Sequence, residues 1–453
     1  MTRKRLVLVN PVNPARAGLT VDKSSRFPPL GLGIVAALTP EPWEVVLIDE
    51  NWTPFTCQEA DLVGITTFTA SANRAYEIAA LYGARGVPVV MGGIHASMCC
   101  EEALRFVKAV VIGEAETVWP QVLADVEAGR LQPIYRGTWD DLNDAPWPRR
   151  DLFHPDYAFA TVQTSRGCPM DCEFCSVTAF NGRCYRRRPP EETLAELESI
   201  PQKMLFFVDD NIIGYGEGAR AQALATFRGM VERKMDKLWF CQASLNFADD
   251  EEVLHWAARA GCKMVFLGLE AEETDALEEA NKLLNLKLGI DFYEEAFRRI
   301  HRAGIAVLGA FIFGLDGDTP EKLKQRAEYI INSGVDAVQA ALLTPLPGTR
   351  LFERFGREER LLYTDFPRAW DYYDLTEVVH RPATMDAQRL AEIVETLQDQ
   401  IFALPALLRK AKRTLKETQD ATATMFAWKA NMSYRKLHEE NRRLKGLTTP
   451  IVK

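Results

Sequence analysis

Short apolar runs alternate with amphipathic stretches through the first quarter of the chain. Residues 5–10, 44–50, 62–68, 87–93 and 109–114 read as strands, with helices over 30–39 and 72–84 between them. Strands that are continuously apolar and alternate with helices predict a parallel, doubly wound sheet buried on both faces. Such sheets bind ligands at the carboxyl ends of their strands. Asn10, Asp49, Thr66, Thr67, Gly92, Gly93, Gly113 and Glu114 occupy those ends here. No G-x-G-x-x-G follows the first strand, so the Rossmann-like domain carries no dinucleotide fingerprint.

A stretch rich in Pro, Asp and Trp without periodicity, 136–156, reads as a linker between the first domain (1–135) and a second (157–384). The second repeats the alternation. Strands are expected at 159–165, 203–210, 237–244, 263–270, 306–314 and 337–345, and helices at 191–200, 219–233, 251–260, 292–303 and 321–333. Six β/α units in series predict a partial (β/α)6 barrel of TIM type, with its site at the carboxyl strand ends. From 385 to 453 the pattern turns helical and basic. Leu407, Leu408, Ala411 and Leu415 there suit packing on the barrel or, alternatively, a membrane surface.

Composition narrows the class. Hydrophobic residues are 47% and charged residues 26% of the 453, the balance of a soluble globular protein. The basic start at 1–5 leads into an apolar run that ends at Asn10 and Pro11, a first strand and not a signal core. The uncharged run 86–100 has 15 residues, short of the about 20 needed to span a membrane. A cytoplasmic protein is expected, peripheral to the membrane at most. Nine cysteines without regular spacing beyond one cluster argue against a disulfide framework. Net charge is −9, and because 409–446 hold 11 Lys and Arg against four acids, the rest is more acidic still. Such a body is a poor nucleic-acid surface.

The chemistry concentrates in TSRGCPMDCEFCSVTAF, 164–180, where Cys168, Cys172 and Cys175 are spaced C-x3-C-x2-C. Three thiols on a short loop at the mouth of a barrel suit an iron–sulfur cluster with one iron left open. A zinc site completed by a remote His or Cys is the other reading. The motif, with Phe174 before its last cysteine, resembles the signature of the radical S-adenosylmethionine enzymes. That resemblance implies a 4Fe-4S cluster whose open iron binds S-adenosylmethionine. One electron, from an external donor such as flavodoxin or ferredoxin, then releases a 5′-deoxyadenosyl radical that takes hydrogen from substrate.

The same resemblance assigns roles to the other strand ends. Asp209 and Asp210 stand where the family has a short motif, often Gly-Gly-Glu, that grips the methionine ammonium. Ser244, with Asn246, falls where ribose hydroxyls are held, and Glu270 at the mouth would take a cofactor hydroxyl or amine. Ile312 and Gly314 match the G-x-I-x-G-x-x-E stretch along the adenine, with Ala310 and Gly317 departing from it. Arg186, Arg187 and Arg188 would meet an anionic group or stay solvated. Cys57, Cys99, Cys100, Cys184, Cys241 and Cys262 are expected as free thiols.

With a doubly wound domain in front, nearly the whole chain resembles the cobalamin-binding branch of this family. Gly92 and Gly93 follow Thr66 by 26 positions, similar to the Ser-x-Leu and Gly-Gly spacing that wraps the cobalamin tail. Asn10, Val12 and Ala15 replace the Asp-x-His-x-x-Gly of domains that donate an axial histidine. His95, Gly113 and Glu114 are further contacts implied for the tail, a solvated loop being the alternative for His95. The resemblance implies a cobalamin-dependent methyltransferase acting on an unactivated carbon of a lipid, such as a hopanoid, or another small molecule. The alternatives are a cobalamin-free radical enzyme forming or rearranging carbon–carbon bonds, and a non-catalytic metal-binding partner protein.

Overall fold

Strands without polar alternation can be buried only between two layers of helix, and the first sheet is built that way. The structure, a computed structural model, describes residues 4–16 and 18–446. Strands β1 (Lys4–Asn10), β2 (Trp43–Asp49), β3 (Leu62–Thr66), β4 (Val89–Gly92), β5 (Ala109–Ile112) and β6 (Ile134–Arg136) pair in parallel in the order β2-β1-β3-β4-β5-β6. Val7, Val9 and Ile65 pack against the helix Ala72–Gly83 on one face, while Leu6, Leu8 and Val111 meet Leu32 and Trp119 on the other. The strand order reverses at β1 and β3, which opens a crevice at their carboxyl ends. The expected boundary at 135/136 falls inside β6. That strand has three residues, of which only Tyr135 is buried, too few to show a pattern.

The barrel follows its prediction closely. Strands β7 (Ala160–Val162), β10 (Met204–Phe207), β11 (Leu238–Ala243), β12 (Cys262–Glu270), β13 (Ala306–Phe313) and β14 (Ala337–Leu342) pair in parallel in chain order, with β7 and β14 at the two edges. Between β7 and β10 lies a small antiparallel hairpin, β8 (Ser165–Arg166) with β9 (Arg186–Arg187). Period-two alternation divides the side chains. Leu205, Phe207, Trp239, Cys241 and Val265 face the surrounding helices, and Phe206, Phe240 and Phe266 face the interior.

The amino-terminal mouth of the barrel is filled from both ends of the chain. Phe426 and Ala427 of the last helix, Ala421–Leu444, pack on Met264, Leu308 and Ala337. An arm following β1 brings Phe27 to 4.9 Å from the Phe206 ring and 5.9 Å from Phe240. Arm and helix meet where Ser433 Oγ donates to Asp22 Oδ2 at 3.1 Å. The carboxyl-terminal helices thus pack on the barrel. On the helix Leu404–Thr418 Leu407 is buried, but Leu408 and Leu415 are half exposed beside Arg409, Lys412 and Lys416. Residues 1–3 and Lys453 lie outside the described residues.

Candidate active site

The carboxyl ends of the two sheets face each other across a cavity of about 970 Å³. All seven residues expected to contact cobalamin line it: Asn10, Thr66, Gly92, Gly93, His95, Gly113 and Glu114. Gly93 has φ +93, and a Cβ there would lie 2.8 Å from the backbone N and O of Thr67. Only glycine lets the end of β4 close on the end of β3, and the helix Ile94–Met98 starts from that contact.

Three of the seven are already engaged within the protein. Asn10 Nδ2 donates to Asp49 Oδ1 at 2.9 Å. His95 is not a solvated loop residue: it is fully buried, with Nε2 3.2 Å from Tyr76 Oη and Nδ1 3.3 Å from Thr69 Oγ1. Burial works against the nearby Glu102 carboxylate, yet hydrogen bonds from His95, Tyr76 and Trp370 hold its pKa below the usual range. Glu114 is not an open contact either, because Arg166 and Arg186 both donate to its carboxylate.

On the barrel side, Gly167 (φ +87) turns the chain out of β8 where a Cβ would strike the Cys184 carbonyl. The three cysteines follow on a loop tied to the helix Arg350–Arg357. Arg350 Nη1 lies 2.9 Å from Asp171 Oδ1, and Arg354 Nε donates to Glu173 Oε1 at 3.0 Å. Burial raises all three thiol pKa values, Cys175 to about 12. A metal would have to displace their protons, as iron does on binding thiolate. Among the described residues no three His, Cys, Asp or Glu side chains converge as the ligands of one ion do. Thiolates of a four-iron cube each bind a different iron.

The two aspartates after β10 separate cleanly. Asp209 is fully buried and accepts from Thr164 N, Thr164 Oγ1 and Ser165 Oγ, so it has no free acceptor aimed at a cofactor. Asp210 lines the cavity, and its Oδ2 accepts from Gly167 N and Asn181 Nδ2. Ser244 Oγ accepts from Asn211 Nδ2 at 2.9 Å, while Asn211 Oδ1 and Asn246 Oδ1 are buried without a donor. Such acceptors suit ribose hydroxyls.

Two expectations change. Glu270 is ion-paired with Lys282, Nζ to Oε1 2.8 Å, where a cofactor group was expected. Gly314 has φ +97 and its Cβ position lies 2.9 Å from Leu390, so its glycine serves a turn and the packing of the helix Ala387–Ile401. Phe174 and Ile312 do meet, in one apolar cluster with Leu315 and Leu343. Sequence reasoning missed Lys282 altogether. It also left Arg166 and Glu116 unremarked, though both line the cavity. The donor sets fit the implied groups: three thiols for a cluster, unpartnered acceptors on Asn211 and Asn246 for a nucleoside, and a cavity of about 970 Å³ at the sheet's strand ends for cobalamin.

Comparison with known proteins bears on the same regions. Residues 162–330 match the Radical SAM superfamily model, and residues 19–123 match the B12 binding domain. A bacteriochlorophyllide d C-12(1)-methyltransferase of Chlorobaculum tepidum is 28% identical over 90% of each chain. A hopanoid C-2 methylase of Rhodopseudomonas palustris is 31% identical over 76% of this chain and 67% of that one. In fold, the chain is similar to the radical S-adenosylmethionine methyltransferase TsrM of Kitasatospora setae, with TM-score 0.68, 17% identity, and 97% and 98% of the two chains covered. It is similar as well to the cobalamin-dependent enzyme OxsB, with TM-score 0.71 and 15% identity over 97% of this chain and 72% of that one. The cofactors are accordingly a 4Fe-4S cluster, S-adenosylmethionine and cobalamin. The chain belongs to the radical S-adenosylmethionine superfamily, in its cobalamin-dependent branch.

Proposed function

We propose that this enzyme methylates an unactivated carbon of a lipid or other apolar small molecule. The carrying observation is the single cavity walled by the sheet's strand ends, by Asp210 and by the helix Ser176–Asn181 that follows the cysteines. A substrate there is within reach of both cofactors at once. Bound there, the cluster would supply the electron that splits S-adenosylmethionine into methionine and a 5′-deoxyadenosyl radical, and cobalamin would supply the methyl group.

The chain's own residues then divide the work. Cys168, Cys172 and Cys175 hold the cluster. Asp210 takes the methionine ammonium through charge-assisted hydrogen bonds, Ser244 and Asn246 the ribose, and Phe174 and Ile312 the adenine. Thr66, Gly92, Gly93 and Gly113 line the path of the cobalamin tail, with the sheet (4–136) as its domain, 157–384 as the barrel and 385–446 as a helical end region. The names of both relatives point to large polycyclic substrates, and Phe68, 65% exposed on the cavity wall, suits an apolar one. The stripe of Leu408, Arg409, Lys412, Leu415 and Lys416 suits peripheral contact with an anionic membrane that holds such a substrate. An external one-electron donor completes the system.

Anaerobic reconstitution with iron, sulfide and hydroxocobalamin tests this reading. About four irons and one cobalt per chain are expected, with transfer of labelled methyl from S-adenosylmethionine into an apolar extract. Iron without cobalt, or S-adenosylmethionine cleavage without methyl transfer in any apolar extract, would overturn it.

A further inference from the structure

The cysteine loop leaves the barrel through a narrow neck, the β8–β9 hairpin. Arg166 and Arg186 are register partners across that hairpin, so two guanidinium groups stand side by side. One carboxylate of the other sheet lies between them. Arg166 Nη1 donates to Glu114 Oε2 at 2.9 Å, Arg186 Nη1 donates to the same oxygen at 3.0 Å, and Arg186 Nη2 donates to Glu114 Oε1. Arg166 Nη2 reaches Glu116 Oε1 at 2.6 Å, and Arg186 Nη1 reaches the Asp140 carbonyl at 3.0 Å. Glu114 and Arg166 are each 8% exposed. This is therefore a desolvated network and not a solvated pair.

Both ends of the contact are fixed. Glu114 follows β5 directly after Gly113, and its carbonyl packs so tightly on Gly137 that a Cβ there would lie 1.7 Å away. Arg166 stands two residues before Cys168, and the intervening Gly167 is bound to Asp210. Without Glu114 the paired guanidinium groups would repel, and the neck would keep only the Arg166–Glu116 and Arg186–Asp140 contacts. A chain of short, buried bonds thus runs from the cobalamin side to the cluster side.

We propose that Glu114 is a positioning residue that sets the separation of the two cofactors by clamping both strands of the neck. This rests on the reading that both bind, and two measurements separate failure of one from failure of the other. The first needs no cofactor. In the apo protein Glu114→Gln is expected to speed hydrogen exchange of the hairpin amides about tenfold, with exchange in β10–β14 unchanged. Glu116→Gln, which frees one nitrogen of one strand, is expected to do less.

The second is made on reconstituted protein. Pulsed electron paramagnetic resonance between the reduced cluster and the cobalt(II) form of cobalamin reads their distance. Glu114→Gln is expected to keep iron and cobalt contents within about twofold of the parent and to broaden the distance distribution. It is also expected to keep 5′-deoxyadenosine formation while losing methylated product. Unchanged hairpin exchange would overturn the clamp, and faster exchange with an unaltered distance distribution would overturn its positioning role. A parent protein that binds no cobalt would sink the functional reading and, with it, the positioning role, leaving the clamp to be judged by exchange alone.

Discussion

Lys282 Nζ stands 2.8 Å from Glu270 Oε1, both side chains largely withdrawn from water at the barrel mouth. Glu270 sits there with φ +66, where β12 slips register against β13 between Gly268 and Glu270. Burial disfavours the Lys282 ammonium, but Glu270 and Cys172 raise its pKa above the ordinary value. Lys282→Met leaves a buried carboxylate uncompensated and is expected to cost about 3–5 kcal/mol. Adding Glu270→Gln is expected to regain most of that. Chemical denaturation of the four species gives the coupling, and simple additivity would mean the pair is not coupled.

The cluster ligands are predicted to be separable from the other thiols. Cys168→Ala, Cys172→Ala and Cys175→Ala are each expected to drop bound iron from about four per chain to below about one, with unchanged circular dichroism. Cys184→Ser, at an exposed thiol, is expected to keep the cluster. Iron retained in any of the first three would remove that cysteine from the ligand set.

The adjacent aspartates are predicted to fail differently. Asp209→Ala strands donors on Thr164 and Ser165 and is expected to cost about 1–3 kcal/mol, with S-adenosylmethionine affinity little changed in the protein that folds. Asp210→Ala is expected to weaken S-adenosylmethionine binding roughly tenfold or more at nearly parental stability. Calorimetric titration of the reconstituted variants decides, and the reverse ranking would move the ammonium site to Asp209.

His301 ties the helix Leu404–Thr418 to the barrel by its charge. Its Nε2 lies 2.7 Å from Asp336 Oδ2 and its Nδ1 2.8 Å from Glu417 Oε2. Burial opposes protonation, but the two carboxylates prevail and raise the pKa above the ordinary 6.5. The folded state then holds the proton more tightly than the unfolded chain, so the stabilisation is complete below pH 6.5 and lost as pH rises through the folded value. His380, pushed down to about 4 by burial, acts on the acid side of 6.5, whereas Lys410 on the helix Leu404–Thr418, pushed down to about 7 by burial, adds stability as pH rises above that value and opposes His301 there. The His301 share is read by difference: the parent's lead over His301→Gln in denaturation midpoint is expected to be full below pH 6.5 and to shrink as pH rises through the folded value.

Both sheets were legible because buried parallel strands leave apolar runs that need no partner to be recognised. β6 was not, since Tyr135 alone of its residues points inward. That Asp210 and not Asp209 lines the cavity follows a signal the sequence carries: Asp210 continues the alternate set of Phe206 and Val208. The ion pairs resisted for a different reason. Glu114 meets Arg166 and Arg186 across separations of 52 and 72 residues, and one sequence carries no signal for so distant a partner. Gly314 misled because a glycine demanded by a left-handed turn looks the same as one cleared for a ligand.

The arm that carries Asp22 and Phe27 has a consequence for synthesis. Domains form in order as a chain leaves the ribosome, yet this early segment docks beside the last helix, with Asp22 and Ser433 separated by 411 residues. The first sheet can assemble as soon as it emerges and Phe27 can dock once Phe240 has been made, but Asp22 must wait for Ser433. Closure of the barrel floor by the helix Ala421–Leu444 is therefore a late event, and loss of that helix leaves Asp22 without Ser433 while Phe27 keeps Phe159, Phe206 and Phe240 around it.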